Sequence, residues 1–357
     1  MNIDDRLAEL KEQIETELGN FFKLKIGRAK VDNKPEELIE MIENLKKFTL
    51  SSGKRIRPIL FYFGYVLAGG KNIVEALKTS IAIELAHSCF LIHDDIIDQD
   101  DFRRGDLSMH YKYEKSFADK LKEKKLEHFG ISMGIIVGDL ASTFGYEILI
   151  NSDFSLDLKI KAIGRLNYII ANTIAGEALD VILAEHPNIK IDRIFEMQKY
   201  KTAKYTIEGP LHLGAILAGA DEKFLESLSR FAVPVGIAFQ IQDDIIGIFG
   251  DEKKIGKPVG SDIKEGKKTF LISKALEKAN DDQKNILNSA LGNKNISVED
   301  VDKVRNIIVK TGSLEFSKTK ARELIDGAKK SLNDLDISEE NKKFLCDLAD
   351  FIAGREH

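Results

Sequence analysis

The chain has 357 residues, and 53 Lys and Arg against 58 Asp and Glu give it a formal charge of −5. This mildly acidic balance gives no generic electrostatic reason to bind nucleic acid. With 43% hydrophobic and 31% charged residues and only 6 Pro, the composition excludes global disorder and is typical of a globular protein with a large core. The two cysteines, Cys89 and Cys346, cannot form a disulfide framework, so we expect a reducing compartment, the cytoplasm.

Neither a membrane span nor a secretion signal is expected from the pattern of apolar residues. The longest apolar stretch, residues 131–150, is interrupted by Asp139 and Glu147, and a span needs about 18 apolar residues with few or no charges. Residues 1–20 are acidic and amphipathic, unlike a secretion signal. Because no Ser/Gly/Pro-rich linker divides the sequence, we expect a single domain over residues 1–357.

A helical period runs through nearly the whole chain, from residues 7–18 and 38–45 to residues 301–308. The stretches 73–97, 131–150 and 231–248 are apolar on most of their circumference, as central helices of a bundle are. Strand alternation is almost absent. We therefore predict an all-α fold in which surface helices surround a few central ones.

Three local features interrupt this pattern. Pro210 and Pro234 fall within helical stretches, where we expect each proline to start, stop or kink a helix. Residues 111–129 are rich in Lys and Glu, which indicates a solvated loop with a short helix. We interpret this segment as a surface insertion, with a mobile flap as the alternative.

A pattern of paired aspartates occurs twice. Residues 90–98 and 239–247 share F-x-I-x-D-D-I-I, and each copy ends a strongly apolar helical stretch. Carboxylates at such places are costly to desolvate unless a cation or a hydrogen-bond network compensates them. In a helix, Asp94 and Asp98 share one face, and their oxygens would suit Mg²⁺, which also takes substrate phosphate oxygens as ligands.

Other interpretations of the acidic motifs remain open or fail. The acids could simply pair with Arg103 and Arg104, but the second copy favours metal. The EF-hand spacing is missing, so a calcium loop is rejected. A metal-dependent HD-type phosphohydrolase, with His93 as a ligand beside Asp94, stays a minor alternative that leaves the second copy unused.

Basic clusters lie next to both acidic motifs: Ser52–Pro58 before the first, Phe102–Gly105 directly after it, and residues 256–269 after the second. Arg and Lys bind phosphate oxygens, and glycines allow a close approach of the backbone. The clusters do not satisfy the Walker pattern and no strand precedes them, which argues against a nucleotide-binding loop. Together, the acidic and basic motifs predict a site for diphosphates bridged by metal ions.

An ordered set of motifs now resembles the trans-isoprenyl diphosphate synthases of the polyprenyl synthetase family, such as geranylgeranyl and farnesyl diphosphate synthases. The set is GKRIRP (53–58), HDDIIDQDDFRRG (93–105), GD (138–139), GEALD (176–180), KT (201–202), FQIQDDIIGIFGD (239–251) and GKPVGSDIKEGK (256–267). The resemblance implies one helical prenyltransferase domain with a motif-bearing core at about 50–275, a helical region at 276–357, a deep apolar cavity and a homodimer.

The resemblance also assigns roles to residues. Asp94, Asp98 and Asp243 would bind three Mg²⁺ ions, with Asp95 and Asp244 in support. The remaining allylic diphosphate site would comprise Arg103, Lys201, Gln240, Lys257 and Lys267. The isopentenyl diphosphate site would comprise Gly53, Lys54, Arg57, His87 and Arg104. Thr202 and Gln240 would stabilise an allylic carbocation with their oxygen dipoles. For His87, the structural alternative is a core histidine bonded to a helix carbonyl.

The reaction implied is a Mg²⁺-dependent head-to-tail condensation of isopentenyl diphosphate with an allylic diphosphate. Phe90 precedes Asp94 by one helical turn, about 5–6 Å, and would form the floor of the cavity, whereas Cys89 and Ala86 are small. These residues indicate a short-chain product, geranylgeranyl rather than farnesyl diphosphate. Gly247 departs from the family, where a third Asp is common, and the stretch between His110 and Gly138 is longer than the resemblance leads us to expect. A class I terpene cyclase and a non-catalytic subunit of a heteromeric synthase are the alternatives.

Overall fold

A computed structural model describes residues 3–186, 190–250 and 260–354. Within these ranges the chain is almost entirely helical, which confirms the all-α prediction. The strands among the described residues form one short antiparallel hairpin, β1 (Phe102–Arg103) and β2 (Asp106–Leu107), with Phe102 opposite Leu107.

Helices make up nearly all of the elements among the described residues. In chain order they are α1 (Ile3–Val31), α2 (Glu36–Leu50), α3 (Ile56–Leu67), α4 (Ile73–Ile97), α5 (Met109–Ser116), α6 (Glu123–Asn151), α7 (Leu156–Glu185), α8 (Ile191–Gln198), the π-helix Lys199–Glu208, α9 (Gly209–Leu217), α10 (Glu222–Phe249), α11 (Ser261–Lys264), α12 (Phe270–Lys278), α13 (Asp281–Ala290), α14 (Val298–Lys310), α15 (Ser313–Ser331), the 3-10 helix Leu332–Asp334 and α16 (Glu339–Ala353).

The helices group into two compact units. The first unit comprises residues Met1–Leu166 and Leu213–Gly219, and the second comprises Asn167–His212 and Ala220–His357. The expected single domain over residues 1–357 stays a prediction.

The first unit is built around α4. All six residues from Ile81 to Ala86 are buried, which requires neighbours on every side of the helix. Helices α1, α3 and α6 pack against it. The N-terminus of α4 is capped by the Asn72 side chain, which accepts a hydrogen bond from the Glu75 amide. Since α4 runs from residue 73 to residue 97, its C-terminal end carries the first aspartate motif.

The second unit is built around α10, against which the π-helix, α15 and α16 pack. Pro234 lies inside α10, and Pro210 is the second residue of α9, directly after the π-helix. Because α9 continues the π-helix without a break, Pro210 removes one backbone donor at the point where the hydrogen-bond spacing changes from five residues to four. The second aspartate motif lies near the C-terminal end of α10.

The predicted solvated loop with a short helix over residues 111–129 is present in part, but helix covers more of the segment than expected. Helix α5 extends to Ser116 and α6 begins at Glu123. Tyr113 is buried and its hydroxyl accepts a hydrogen bond from Asn44 at 3.3 Å. The rings of Phe117 and Phe129 lie 4.5 Å apart between centroids. These apolar contacts, interleaved with the Lys and Glu residues, fix the segment as helix.

Three of the described helices are long and apolar enough to cross a membrane by length and composition alone: residues 125–151, 156–185 and 222–249. The buried share of the most apolar window is 39%, 28% and 56%, respectively, so α6 and α7 leave much apolar surface exposed. The absence of a transmembrane segment stays a prediction.

Candidate active site

The first aspartate motif lies at the C-terminal end of α4. Asp98 directly follows the helix, and its backbone N–H donates to the Asp94 carbonyl at 2.8 Å. The one-turn spacing of these two carboxylates predicted from the sequence is therefore present. Both side chains are half-buried, whereas Asp95 between them is fully buried.

Arg103 holds two of these carboxylates. The β1–β2 hairpin carries Arg103 back towards α4, where Nη2 donates to Asp94 Oδ2 at 3.2 Å and Nε donates to Asp95 Oδ1. The ion pairing considered for these acids thus involves Arg103, while Arg104 Nη1 donates to the Ser51 hydroxyl at 3.4 Å instead. A cation bound at Asp94 would share that carboxylate with Arg103.

Burial dominates the ionisation of Asp95. It raises the pKa of this carboxyl to about 7, although the charge and hydrogen bond of Arg103 act in the opposite direction. Oδ2 of Asp95 has no hydrogen-bond partner among the described residues. A carboxyl in this position supports the motif through Arg103 and lies too deep to be a surface ligand.

The predicted isopentenyl diphosphate residues of the first unit gather around His87. Arg57 Nη1 lies 3.1 Å from His87 Nε2; because a guanidinium can only donate, Nε2 is the acceptor. Burial, followed by the charges of Arg57, Arg104, Arg103 and Arg55, holds the pKa of His87 well below its usual value. Four cationic side chains therefore surround a neutral imidazole, as a site for a polyanion requires.

Gly53 and Lys54 lie at the edge of this cationic cluster. A Cβ on Gly53 would lie 3.0 Å from Arg55 Nη1 and 3.2 Å from Arg104 Nη1, so its backbone fits closely between two guanidinium groups. Lys54 is exposed. The structure thus brings Gly53, Arg57, His87 and Arg104 together, with Lys54 adjacent in the chain.

In the second aspartate motif, two side-chain amides hold the buried carboxyl of Asp244. Asp244 is buried, its Oδ1 accepts from Gln240 Nε2 at 2.9 Å, and its Oδ2 accepts from Gln198 Nε2 at 3.0 Å. The Gln240 Oε1 accepts in turn from the Thr202 hydroxyl at 2.7 Å. Burial raises the pKa of Asp244 well above its usual value, the Gln240 hydrogen bond opposes this, and the charges of Asp262 and Asp243 raise it further.

Steric crowding in the second motif explains why glycine rather than aspartate occupies position 247. A Cβ at this position would lie 2.6 Å from Asp262 Oδ2, so an aspartate at 247 would displace the Asp262 side chain. The carboxylate of Asp262 therefore lies where a side chain of residue 247 would begin. Asp243 itself is half-buried.

Lys201 lies in the π-helix, a rare helix type that frequently occurs at functional sites. Its Nζ is 2.6 Å from Asp180 Oδ2 and 2.9 Å from Glu177 Oε2, both on α7. The backbone nitrogen of Lys201 lies so close to Gly176 that a Cβ there would overlap it. The glycine of the GEALD motif thus permits close packing of α7 on the π-helix, and its two acids hold the lysine.

Two lysines predicted for the allylic diphosphate site remain, Lys257 and Lys267. Lys267 pairs with Glu265 Oε2 at 2.6 Å, and its backbone N–H donates to the Asp262 carbonyl at 2.9 Å. Lys257 lies outside the described residues.

His93, the ligand of the alternative HD-type phosphohydrolase, makes a different contact. Its Nε2 lies 3.2 Å from the Ile135 carbonyl of α6, which argues against a metal-ligand role.

The three predicted chain-length residues differ in surroundings. Ala86 and Cys89 are 1% and 8% exposed, whereas Phe90 is half-buried. Cys89 belongs to a core cluster with Val137 and Ala141 of α6, and burial raises the pKa of its thiol to about 12. Cys89 is therefore an inert apolar group.

Sequence reasoning gave no role to four residues that organise the site: Glu177, Asp180, Gln198 and Asp262. The first two lie one turn apart on α7, and a pair of acids at that spacing beside a predicted lysine was a usable signal. Asp262 lies within the motif at residues 256–267, from which it received no role of its own. Gln198 is remote in sequence from Asp244, which it contacts, and no local pattern marks it.

The raised pKa of Asp95 predicts a pH-dependent stability. The folded chain keeps the proton up to pH about 7 and the unfolded chain releases it near pH 4, so burying this group costs stability as pH rises between these values. The amide introduced by Asp95→Asn cannot ionise. In chelator-treated protein, the unfolding free energy of Asp95→Asn relative to wild type should rise by at most about 1.4 kcal/mol per pH unit. Urea unfolding from pH 4.5 to 7.5 measures this, and a difference independent of pH contradicts it.

Comparison with known proteins places these motifs in one family. The polyprenyl synthetase family model matches residues 38–308. A geranylgeranyl diphosphate synthase of Sulfolobus acidocaldarius is 36% identical over 303 residues, 83% of this chain and 86% of that protein. A short chain isoprenyl diphosphate synthase of Methanocaldococcus jannaschii is 34% identical, over 91% of this chain and 94% of that protein.

The fold agrees with a solved structure as well. The crystal structure of geranylgeranyl pyrophosphate synthase from Corynebacterium glutamicum, complexed with isoprenyl diphosphate and magnesium, matches with a TM-score of 0.91 and 32% identity over 98% of this chain and 99% of that one. The family match spans most of the chain and includes both aspartate motifs. The chain therefore belongs to the polyprenyl synthetase family and is a short-chain trans-isoprenyl diphosphate synthase, a prenyltransferase.

Proposed function

We propose that this enzyme condenses isopentenyl diphosphate with allylic diphosphates in a Mg²⁺-dependent reaction whose main product is geranylgeranyl diphosphate. One observation carries the proposal: α4 carries Asp94 near its C-terminal end, with Asp98 directly after it, and His87 two turns earlier. Arginines of the α3 entrance and of the β1–β2 hairpin contribute positive charge around His87. One helix thus serves a diphosphate bound through metal and a second diphosphate bound by cationic side chains alone.

The acidic side chains suit a hard dication. Asp94 and Asp98 are half-buried and spaced by one turn, and Asp243 is half-buried beside the amide-bonded Asp244. Carboxylate oxygens with room for water and phosphate are what Mg²⁺ prefers. We assign these three residues to three Mg²⁺ ions, which when bound would neutralise the charge that develops on the departing diphosphate. Asp95 and Asp244 support them from buried positions.

The cationic residues bind the two diphosphates. Arg103, Lys201, Gln240, Lys257 and Lys267 complete the allylic diphosphate site. Gly53, Lys54, Arg57, His87 and Arg104 form the isopentenyl diphosphate site. In the latter, the neutral His87 accepts from Arg57 at 3.1 Å and so fixes the direction of its guanidinium fork, which suits bidentate binding of phosphate oxygens.

Thr202 and Gln240 stabilise the allylic carbocation. The Gln240 amide is oriented at both ends, since its Nε2 donates to Asp244 and its Oε1 accepts from Thr202. An oxygen dipole fixed in this way stabilises positive charge without reorganisation. The double bond of isopentenyl diphosphate then attacks the cation, and a proton is lost to the released diphosphate.

Gln240→Leu keeps the volume of this side chain and removes both of its hydrogen bonds. We expect kcat to fall by about 10²-fold, the loss typical of one stabilising dipole, with Gln240→Glu as the matched polar control. Single-turnover kinetics with an allylic primer measures the chemical step. A Gln240→Leu enzyme that turns over at the wild-type rate would count against this role.

Product length rests on three residues of α4. Phe90, half-buried and one turn before Asp94, is the floor, whereas Ala86 and Cys89 leave small side chains around it. We propose that this combination admits geranylgeranyl diphosphate in preference to farnesyl diphosphate.

Phe90→Ala should lengthen the product, because it removes the largest of these side chains from the path of the growing chain. The product distribution after dephosphorylation, resolved by chain length, shows the effect. Phe316→Ala is the matched control: the ring of Phe316 lies on α15 and is 41% exposed, so the product distribution of this variant should stay near that of wild type. An unchanged distribution for Phe90→Ala places the floor elsewhere.

A homodimer is the proposed assembly, with no nucleic-acid partner, in the cytoplasm. In the first unit, Ile135 and Ile136 of α6 are 45% and 50% exposed. In the second, Ile174 and Ile182 of α7 are 57% and 53% exposed. Apolar side chains exposed in this number favour burial against a second copy, and sedimentation equilibrium of the purified protein decides between one copy and two.

The reaction itself is tested by elongation. The purified enzyme, given labelled isopentenyl diphosphate and separately dimethylallyl, geranyl or farnesyl diphosphate, should extend each primer with Mg²⁺ and none with EDTA, stopping mainly at geranylgeranyl diphosphate. Another stopping length corrects only the assignment of the product. Cyclised hydrocarbon without elongation would favour the terpene cyclase, and no turnover by folded protein would favour the non-catalytic subunit.

A further inference from the structure

Arg55 has an unusual backbone conformation at the entrance to α3. Its φ of 53° and ψ of 31° lie in the left-handed region, and the helix begins at the next residue. A residue with a Cβ is strained there, and such strain persists only when the surrounding structure holds it. The strained residue stands between Lys54 and Arg57, two of the proposed diphosphate ligands.

The Arg55 side chain is what holds this conformation. Its Nη1 donates to Glu84 Oε1 of α4 at 2.7 Å, its Nη2 to the Ser51 carbonyl at 2.8 Å, and its Nε to Glu15 Oε1 of α1 at 3.3 Å. The guanidinium is thus tied to three separate elements. Because the Arg55 side chain is only 1% exposed, it is too deeply buried to bind substrate itself.

The acid on α4 is equally enclosed. The Glu84 side chain is 5% exposed, and removing one partner of a buried ion pair leaves an uncompensated charge. Glu84 and His87 are three residues apart on α4 and therefore lie on one face. Arg55 reaches Glu84 and Arg57 reaches His87, so two anchors one turn apart fix residues 55–57 along this helix.

We propose that Arg55, held by Glu84, is a positioning residue for the isopentenyl diphosphate site. The buried ion pair maintains the left-handed turn that points Lys54 and Arg57 at the diphosphate and starts α3 directly behind them. The inference rests on the proposed function, because the ligand of this site is isopentenyl diphosphate only if the elongation reaction occurs.

The backbone effect can be separated from the ion pair by two double variants. Arg55→Gly/Glu84→Gln and Arg55→Ala/Glu84→Gln both remove the pair and leave closely similar space, but only glycine enters the left-handed region without strain. We expect the alanine variant to raise the KM for isopentenyl diphosphate about tenfold and the glycine variant less than about threefold. In both, kcat and the KM for the allylic primer should stay within about twofold of wild type.

The outcomes are distinct. A KM for isopentenyl diphosphate that is at least about threefold higher in the alanine variant than in the glycine variant, with the allylic primer unaffected, supports the positioning role. Equal KM values in the two variants, or equal losses for both substrates, overturn it, since a general packing defect would have that effect. If wild-type protein elongates no primer, the proposed function fails instead, and calorimetric binding of inorganic diphosphate to the same variants still tests whether the turn positions the cationic side chains.

Further variants control for strain at a positive φ away from the site and for failure to fold. Asn33 also has a positive φ, 49°, in the connection after α1, so Asn33→Gly and Asn33→Ala form a matched pair away from the site and should leave both KM values unchanged. If the alanine double variant fails to fold by circular dichroism, Arg55→Lys takes its place. Lysine cannot reproduce three separately directed donors, and an unchanged KM for isopentenyl diphosphate in Arg55→Lys would overturn the proposal.

Discussion

Burying a carboxylate at the end of a central helix costs desolvation free energy, and in both aspartate motifs neighbouring donors offset this cost. Asp95 and Asp244 are fully or almost fully buried, where an ionised carboxylate is unfavourable without close donors. The first unit meets this cost with the guanidinium of Arg103, and the second unit meets it with the amides of Gln198 and Gln240. One sequence pattern is therefore stabilised by a formal charge in one place and by neutral dipoles in the other.

This difference gives the two motifs different electrostatic character. Around α4, Arg103 neutralises part of the charge that a metal ion would otherwise meet. Around α10, Gln198 and Gln240 stabilise the Asp244 carboxyl without adding a formal charge, and Asp262 adds another carboxylate beside Gly247. The first motif follows His87 on the same helix, where the charges of neighbouring arginines lower the pKa of the imidazole. The two motifs therefore share a sequence pattern but differ in the groups that compensate their buried carboxyls.

Most of the fold could be predicted from the sequence, because helical periodicity and all-round apolar stretches are local properties. Residues 73–97 form one helix, as their pattern indicated. The helical content of residues 111–129 was underestimated, because charged residues masked the apolar contacts of Phe117 and Phe129. The site was predictable where ligands sit in short motifs, such as Asp94 and Asp98. Gln198 and Glu84 act through contacts distant in sequence, which no local pattern reveals.

In the π-helix Lys199–Glu208, the number of residues is itself a structural constraint. Each hydrogen bond in such a segment spans five residues rather than four, so a single-residue deletion would return the backbone to α-helical geometry and turn Lys201 and Thr202 away from their partners on α7 and α10. Substitution can replace a side chain while leaving its neighbours in place, but deletion rotates all of them together. Residues 199–208 should therefore tolerate substitutions far better than single-residue insertions or deletions.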